Sequence, residues 1–448
     1  MGHIKRGLIG IVAAAALLLA AGCTATVGDS SKNLRVMLWG NSTDIASIKA
    51  PAAAFEKAHP DIKITWETGD CGVDYAACKT LIAGKNMPDV VVPGSWNYFD
   101  MVNDGVIADL GPFVKKSGLN LGDFTPLVIK ALTSPKDDTV HALPMGYNVQ
   151  SLYYNKAMFA AAGLAEPPAD GSYTYDDLRE WSKKLTIDEN GNNAESPNFN
   201  PQKIKQYGYF NFAAGLIQPG YAPILAAFGG GILGGKLGNQ CIIDKQQTID
   251  AFQYIQDLMW KDHSTITPQL QQEEPGYSRW IKGQVAMQQG SHEQVQQVAD
   301  QNPTLKYDMT ALPRGSAGNA TLIQIHNWAM YQGSKNKDTA WEFIKYMATD
   351  GSGKQMGLIP AYKDVALGTA FAQAPGEPSH LVEAQVKPAG WPQSFTNVDP
   401  ASVWAAVSGQ DGFGPALEDI MSNRKTAEQA LSGLCASKID SVLKLQKK

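Results

Sequence analysis

Between Leu34 and Leu110 the chain alternates two hydrophobic periods, and this alternation restricts the fold more than any other feature. Residues 34–39 read as a strand and 44–58 as a helix carrying Ile45, Ile48 and Phe55. Residues 62–66 alternate as a second strand. A loop with Cys71 leads to a helix through Leu81 and Ile82 that stops at Gly84. Pro88 and Asp89 then open a short buried strand over 90–92, and another helix runs past Met101 and Val102 to Gly105. Strands separated by helices at this pitch indicate βαβ units on a largely parallel sheet.

At residues 141–155 this unit hands over to another. Leu143, Pro144 and Gly146 predict a change of direction, with Tyr147 and Asn148 at the bend. Strand-forming residues follow to Tyr154, then a short helix over 156–162 ended by Gly163. Thr174 and Asp177 open a helix that runs to Leu185, and 188–203 is a polar loop. A strand over 207–212 and a short helix over 221–228 lead into Gly229-Gly230-Gly231. Beyond it, 248–261 is amphipathic, with Phe252, Ile255 and Met259 on one side. Strands at 307–312 and 322–331 and a helix over 336–347 complete the series. A length of 448 residues, 44% apolar, suits two globular domains with a hinge over a cleft.

His3, Lys5 and Arg6 precede an apolar run from Leu8 to Ala21, too short for a stable membrane span and right for a signal peptide. The run ends Leu19-Ala20-Ala21-Gly22-Cys23, which resembles a bacterial lipobox and predicts lipidation of Cys23 after removal of residues 1–22. Residues 23–33 then form a small, polar tether. Export favours oxidised cysteines. Cys71, Cys78, Cys241 and Cys435 allow three pairings, of which Cys71–Cys78 as a loop staple and Cys241–Cys435 as a clamp on the C-terminal helix are preferred. A zinc site built from all four of these cysteines competes, but no C-x-x-C pair is present.

A net charge of −5 and the absence of basic runs interleaved with aromatics give no reason to expect nucleic acid. Gly229 to Gly234 matches G-x-G-x-x-G, but Leu237-Gly238-Asn239-Gln240 opens no helix to face a pyrophosphate. His292-Glu293 begins H-E-x-x-H, yet Gln296 replaces the second histidine. No G-x-S-x-G nucleophile elbow occurs. The sequence therefore predicts no catalytic residue, metal or cofactor.

Several segments, each weak alone, together resemble family 1 of the bacterial extracellular solute-binding proteins of ABC importers, the group that includes maltose-binding protein. They are Phe55-Glu56-Lys57-Ala58-His59-Pro60-Asp61-Ile62, Pro88-Asp89-Val90-Val91-Val92, Gly105-Val106-Ile107-Ala108-Asp109-Leu110 and Leu152-Tyr153-Tyr154-Asn155-Lys156. Later come Gly283-Gln284-Val285-Ala286-Met287, Ala340-Trp341-Glu342-Phe343-Ile344 and Ile359-Pro360-Ala361. The resemblance implies a two-lobe α/β fold of the type II periplasmic-binding-protein kind, hinged over a ligand cleft. Lobe 1 would be 34–147 plus 307–356 and lobe 2 148–306 plus 357–448.

The implied function is non-enzymatic: a monomer, lipid-anchored through Cys23 at the outer face of the membrane, that captures a sugar and delivers it to permease subunits. The resemblance places ligand contacts at Trp39, Asn41, Asp44, Trp96, Tyr98, Tyr147, Asn148, Gln218, Tyr221, Gly229 and Gly230. Ser291 and His292 stand where maltose-type relatives carry a stacking tryptophan, so a maltodextrin ligand is not implied. Trp328, Trp391 and Phe413 are further aromatic candidates. Pyranose rings pack a C–H face on such aromatics, while their hydroxyls need Asn, Gln and Asp partners. Competing readings are a glycerophosphodiester or amino-sugar ligand, and a secreted glycan-processing enzyme with two facing carboxylates.

Overall fold

The computed structural model describes residues 32–235, 238–353, 355–396 and 401–445. The predicted signal peptide and Cys23 lie outside them.

Two sheets organise the chain. In the first, Ile62–Thr68, Lys32–Leu38 and Val90–Val91 lie side by side in parallel, as the helices between them require. Leu322–Met330 joins this edge antiparallel and pairs in turn with Ala142–Val149 and with Phe395–Thr396. The second sheet runs Tyr307–Ala311, Ser151–Asn155, Val285–Gly290, Ile204–Phe210, Ile187–Asp188. The strand Tyr307–Ala311, assigned from sequence to the first lobe, pairs along its whole length with Ser151–Asn155 and so belongs to the second sheet.

The alternation over the first hundred residues becomes the helices Ser42–Ala58, Tyr75–Ala83 and Ser95–Asn103. The chain does not bend at Pro144 and Gly146. Both lie inside the strand Ala142–Val149, opposite Leu322–Met330. Proline is tolerated there because the ladder shifts register between His326 and Asn327, the residue facing Pro144. Gly146 answers a close approach: a Cβ on it would lie 2.7 Å from Leu358 Cβ and 2.8 Å from the Ile359 carbonyl oxygen. Here a second crossing segment passes, and Tyr147 and Ile359 exchange backbone hydrogen bonds of 2.9 and 3.0 Å.

The apolar core follows these crossings. One cluster joins Leu34 and Val36 of the first sheet and Phe343 of the helix Lys337–Ala348 to Tyr153 and Phe210 of the second sheet and Trp280 of the helix Gly276–Ile281, while another fills the far side of the second lobe around Phe252 and Leu417. Cys71 is bonded to Cys78 and Cys241 to Cys435. The first bond closes a loop beside the first sheet, and the second ties the segment at Cys435 to the hairpin at Cys241.

Candidate functional site

The first cavity opens where the end of the strand Lys32–Leu38 meets the start of a helix. Asn41 caps Ser42–Ala58, its side chain accepting from the backbone N–H groups of Thr43 at 2.8 Å and Asp44 at 3.0 Å. Asp44 Oδ2 accepts from the Asn41 N–H in return, at 3.0 Å. Trp39, just before this cap, donates from Nε1 to the Val92 carbonyl at 2.6 Å. Its ring lies 5.0 Å from that of His326 and 6.2 Å from that of Trp96, and Trp96 stands edge-on to His326 at 5.7 Å. Three rings thus form one aromatic corner in the first lobe.

The second lobe supplies the opposite wall. After the strand Val285–Gly290 the chain turns through Ser291 and His292 into the helix Glu293–Gln301. His292 is buried, with Nδ1 2.7 Å from the Gly357 carbonyl and Nε2 2.8 Å from Glu377 Oε2. Both neighbours present oxygens that can accept from the ring. Glu293 is exposed to the cleft, yet desolvation by its neighbours pushes its carboxyl pKa up, while the Asn148 amide that donates to Oε1 opposes the shift. Trp39, Asn41, Asp44 and His326 on one side, and His292, Glu293, Gln297 and Glu377 on the other, line a cleft of about 330 Å³. That volume is at the lower end for small-ligand pockets.

His326 and Asn148 each present a buried polar atom, Nδ1 and Oδ1, with no partner among the described residues. Burial lowers the His326 pKa to about 4, so its imidazole is neutral at pH 7, with one donor and one acceptor nitrogen.

A second cavity of about 420 Å³ is lined by Gln218, Gly229, Gly230, Gln393, Phe395 and Trp404. Its Trp404 lies on the helix Ala401–Ser408, which packs against Ser95–Asn103, the helix that starts beside Trp96. The two cavities therefore flank the same interlobe contact.

Of the sequence candidates, Trp39, Asn41, Asp44 and His292 meet in the first cleft. Trp96 stands beside them, Asn148 reaches them through Glu293, and Ser291 adjoins, its carbonyl accepting from Tyr153 Oη at 2.7 Å. Gln218, Gly229 and Gly230 line the second cavity. Gly230 serves packing there, because a Cβ on it would lie 2.7 Å from the Thr248 backbone nitrogen. Tyr98 is core instead: fully buried, it donates to the Leu132 carbonyl at 2.6 Å and accepts from the His141 N–H at 3.0 Å. Tyr147 and Trp328 are fully buried as well, the latter against Phe343. Tyr221 packs on Phe252 and Phe413 on Trp404, both under the second lobe's surface. Trp391 lines neither cavity.

Sequence reasoning passed over Glu293, His326, Glu377 and Trp404. Glu293 had a signal, since it follows a strand end and opens a helix, but its place in a failed zinc motif drew attention away. His326 lies in mid-strand and Glu377 in a long connection, where nothing local marks them.

Residues 39–354 match the model of the bacterial extracellular solute-binding proteins, and the chain belongs to that family. The fold is shared with solved members. It is similar to an ABC substrate-binding protein from Listeria monocytogenes in complex with cycloalternan, at 18% identity, 93% of this chain, 99% of that one and a TM-score of 0.74. The cyclic α-maltosyl-1,6-maltose binding protein of Arthrobacter globiformis compares at 17%, 93%, 100% and 0.72. UspC of M. tuberculosis compares at 19%, 92%, 100% and 0.71.

Proposed function

We propose that this chain is the capturing component of an ABC importer for a carbohydrate, lipid-anchored at Cys23, and that it hands its ligand to permease subunits as a monomer. The observation that carries this reading is that Trp39 and His326, with Trp96 packed against both, face Glu293, Gln297 and His292 across the cleft. An aromatic face suits the C–H side of a pyranose, and opposed carboxylate, amide and imidazole groups suit its hydroxyls. The sugars named with two structural neighbours, cycloalternan and cyclic maltosyl-maltose, support the same class. Ligand would draw the lobes together about the crossing segments.

The lining selects among ligands. Asp44, Glu293, Asp300 and Glu377 border the cleft and, among the described residues, no lysine or arginine does. A phosphodiester is disfavoured by that charge, whereas the amine of an amino sugar is not, which makes amino sugars the second reading.

The test is a thermal-shift screen of the chain from Thr24 onward against mono-, di- and oligosaccharides, amino sugars and glycerophosphodiesters. A ligand of the folded state alone stabilises by about 2.7 kcal/mol at a hundredfold excess over its Kd. A shift with sugars that Trp96→Ala abolishes is expected, with the sugar recovered intact. A shift with phosphodiesters alone, or turnover of the sugar, overturns the reading.

A further inference from the structure

Cys71 and Cys78 are joined under the aromatic corner rather than in a remote loop. Gly72 lies against the Trp39 indole, where a Cβ would sit 2.1 Å from Nε1 and 2.0 Å from the Val92 oxygen that Nε1 bonds. The Gly72 carbonyl accepts from the Gly94 N–H at 3.1 Å and from Asn97 Nδ2 at 3.0 Å. The Val73 carbonyl accepts from Asn97 Nδ2 at 2.7 Å and from Trp96 Nε1 at 3.2 Å. Two consecutive residues next to Cys71, Gly72 and Val73, therefore seat both indoles, one by contact and one by hydrogen bond.

The hydrogen bonds from Gly94, Asn97 and Trp96 hold this seat from one side, and the disulfide ties it to the following helix on the other. Asp70–Gly72 is a single 3-10 turn, Val73 is exposed, and the helix Tyr75–Ala83 buries one side chain fully, that of Cys78. A crosslink across a separation of seven residues restrains little of the unfolded chain, unlike the separation of 194 closed by Cys241–Cys435. Its consequence is local. We propose that the Cys71–Cys78 disulfide is a positioning element of the ligand site, holding residues 71–73 so that Trp39 and Trp96 keep their relative placement. Ligand affinity, and not only stability, then depends on it. This rests on the reading of those indoles as ligand-facing.

The experiment compares Cys71→Ser/Cys78→Ser with Cys241→Ser/Cys435→Ser in the chain from Thr24 onward. Affinity is read by calorimetry with the sugar that most stabilises the wild type, and indole geometry by near-ultraviolet circular dichroism without ligand. Removing Cys71–Cys78 is expected to weaken binding by about tenfold or more and to change the indole spectrum. Removing Cys241–Cys435 is expected to lower Tm while affinity stays within about twofold. Asn97→Ala, which keeps the disulfide but cuts the same seat, should weaken binding too, and combining it with Cys71→Ser/Cys78→Ser should add less than the sum. Unchanged affinity with an unchanged indole spectrum in the Cys71→Ser/Cys78→Ser protein overturns the proposal. Should the wild type bind no sugar, the reading of the site fails, and the spectrum alone decides whether the disulfide positions the indoles. Should Cys71→Ser/Cys78→Ser not fold, Asn97→Ala decides: wild-type affinity and spectrum in that variant overturn the proposal.

Discussion

Asn148 donates from Nδ2 to Glu293 Oε1, which ties the crossing strand Ala142–Val149 to the first residue of the helix Glu293–Gln301. Desolvation raises the carboxyl pKa and the amide opposes that shift by favouring the ionised form. Asn148→Ala leaves the carboxylate without this donor and is expected to cost about 1–2 kcal/mol at pH 7 by urea unfolding, since solvent at the cleft screens the charge. Adding Glu293→Gln removes the charge and should return part of the loss. If Asn148→Ala/Glu293→Gln is less stable than Asn148→Ala by the full cost of a second independent lesion, the two residues are not coupled as described.

His326 gives the opposite pH dependence. Burial lowers its pKa from 6.5 to about 4, so between those values the unfolded chain binds the proton and the folded chain does not. Stability from this group is complete above pH 6.5 and is lost as pH falls through 4, a change of about 3 kcal/mol at most. Glu293, raised above its usual 4.5, contributes a slope of the other sign above that value, destabilising as pH rises. Midpoints of thermal unfolding measured from pH 4 to 7 should flatten in His326→Gln. An equally steep profile in that variant would place the acid sensitivity elsewhere.

Tyr98 separates core from site. Its hydroxyl joins the Leu132 carbonyl to the His141 N–H inside the first lobe. Tyr98→Phe strands both groups and should cost about 1–3 kcal/mol while leaving ligand affinity unchanged. A weakened affinity at preserved stability would return this residue to the binding surface.

These cases show what a sequence discloses about such a chain. Period and capping marked the elements well: Thr174 and Asp177 do form a capping box, and Gly84 and Gly163 do end helices. The family resemblance, rather than the local pattern, pointed to Trp39, Asn41 and Asp44 after the first strand, and these three line the first cleft. Depth was not legible. Tyr98 and Trp96 sit two residues apart on one helix, yet the helical rotation buries the first and leaves the second beside the cleft. His326 could not be found from the chain, since its neighbours Trp39 and Trp96 are brought to it only by pairing of distant strands. The strand Tyr307–Ala311 was misassigned for the same reason, as the choice of sheet is a long-range pairing.

Gly146 illustrates the error that local punctuation invites, and it offers the strictest test of the crossing. The residue sits in mid-strand with the second crossing segment pressed against it, a Cβ falling 2.7 Å from Leu358 Cβ and 2.8 Å from the Ile359 oxygen. Backbone cannot yield there as a flexible side chain would, because Tyr147 and Ile359 are hydrogen-bonded both ways. Gly146→Ala is therefore expected to push the two crossings apart and to cost about 1–3 kcal/mol by urea unfolding, as overpacking does. If the residue were instead the flexible point of a bend, alanine would remove conformational freedom from the unfolded chain and raise stability by about 0.4–1 kcal/mol. The sign of the change distinguishes a packed crossing from a bend.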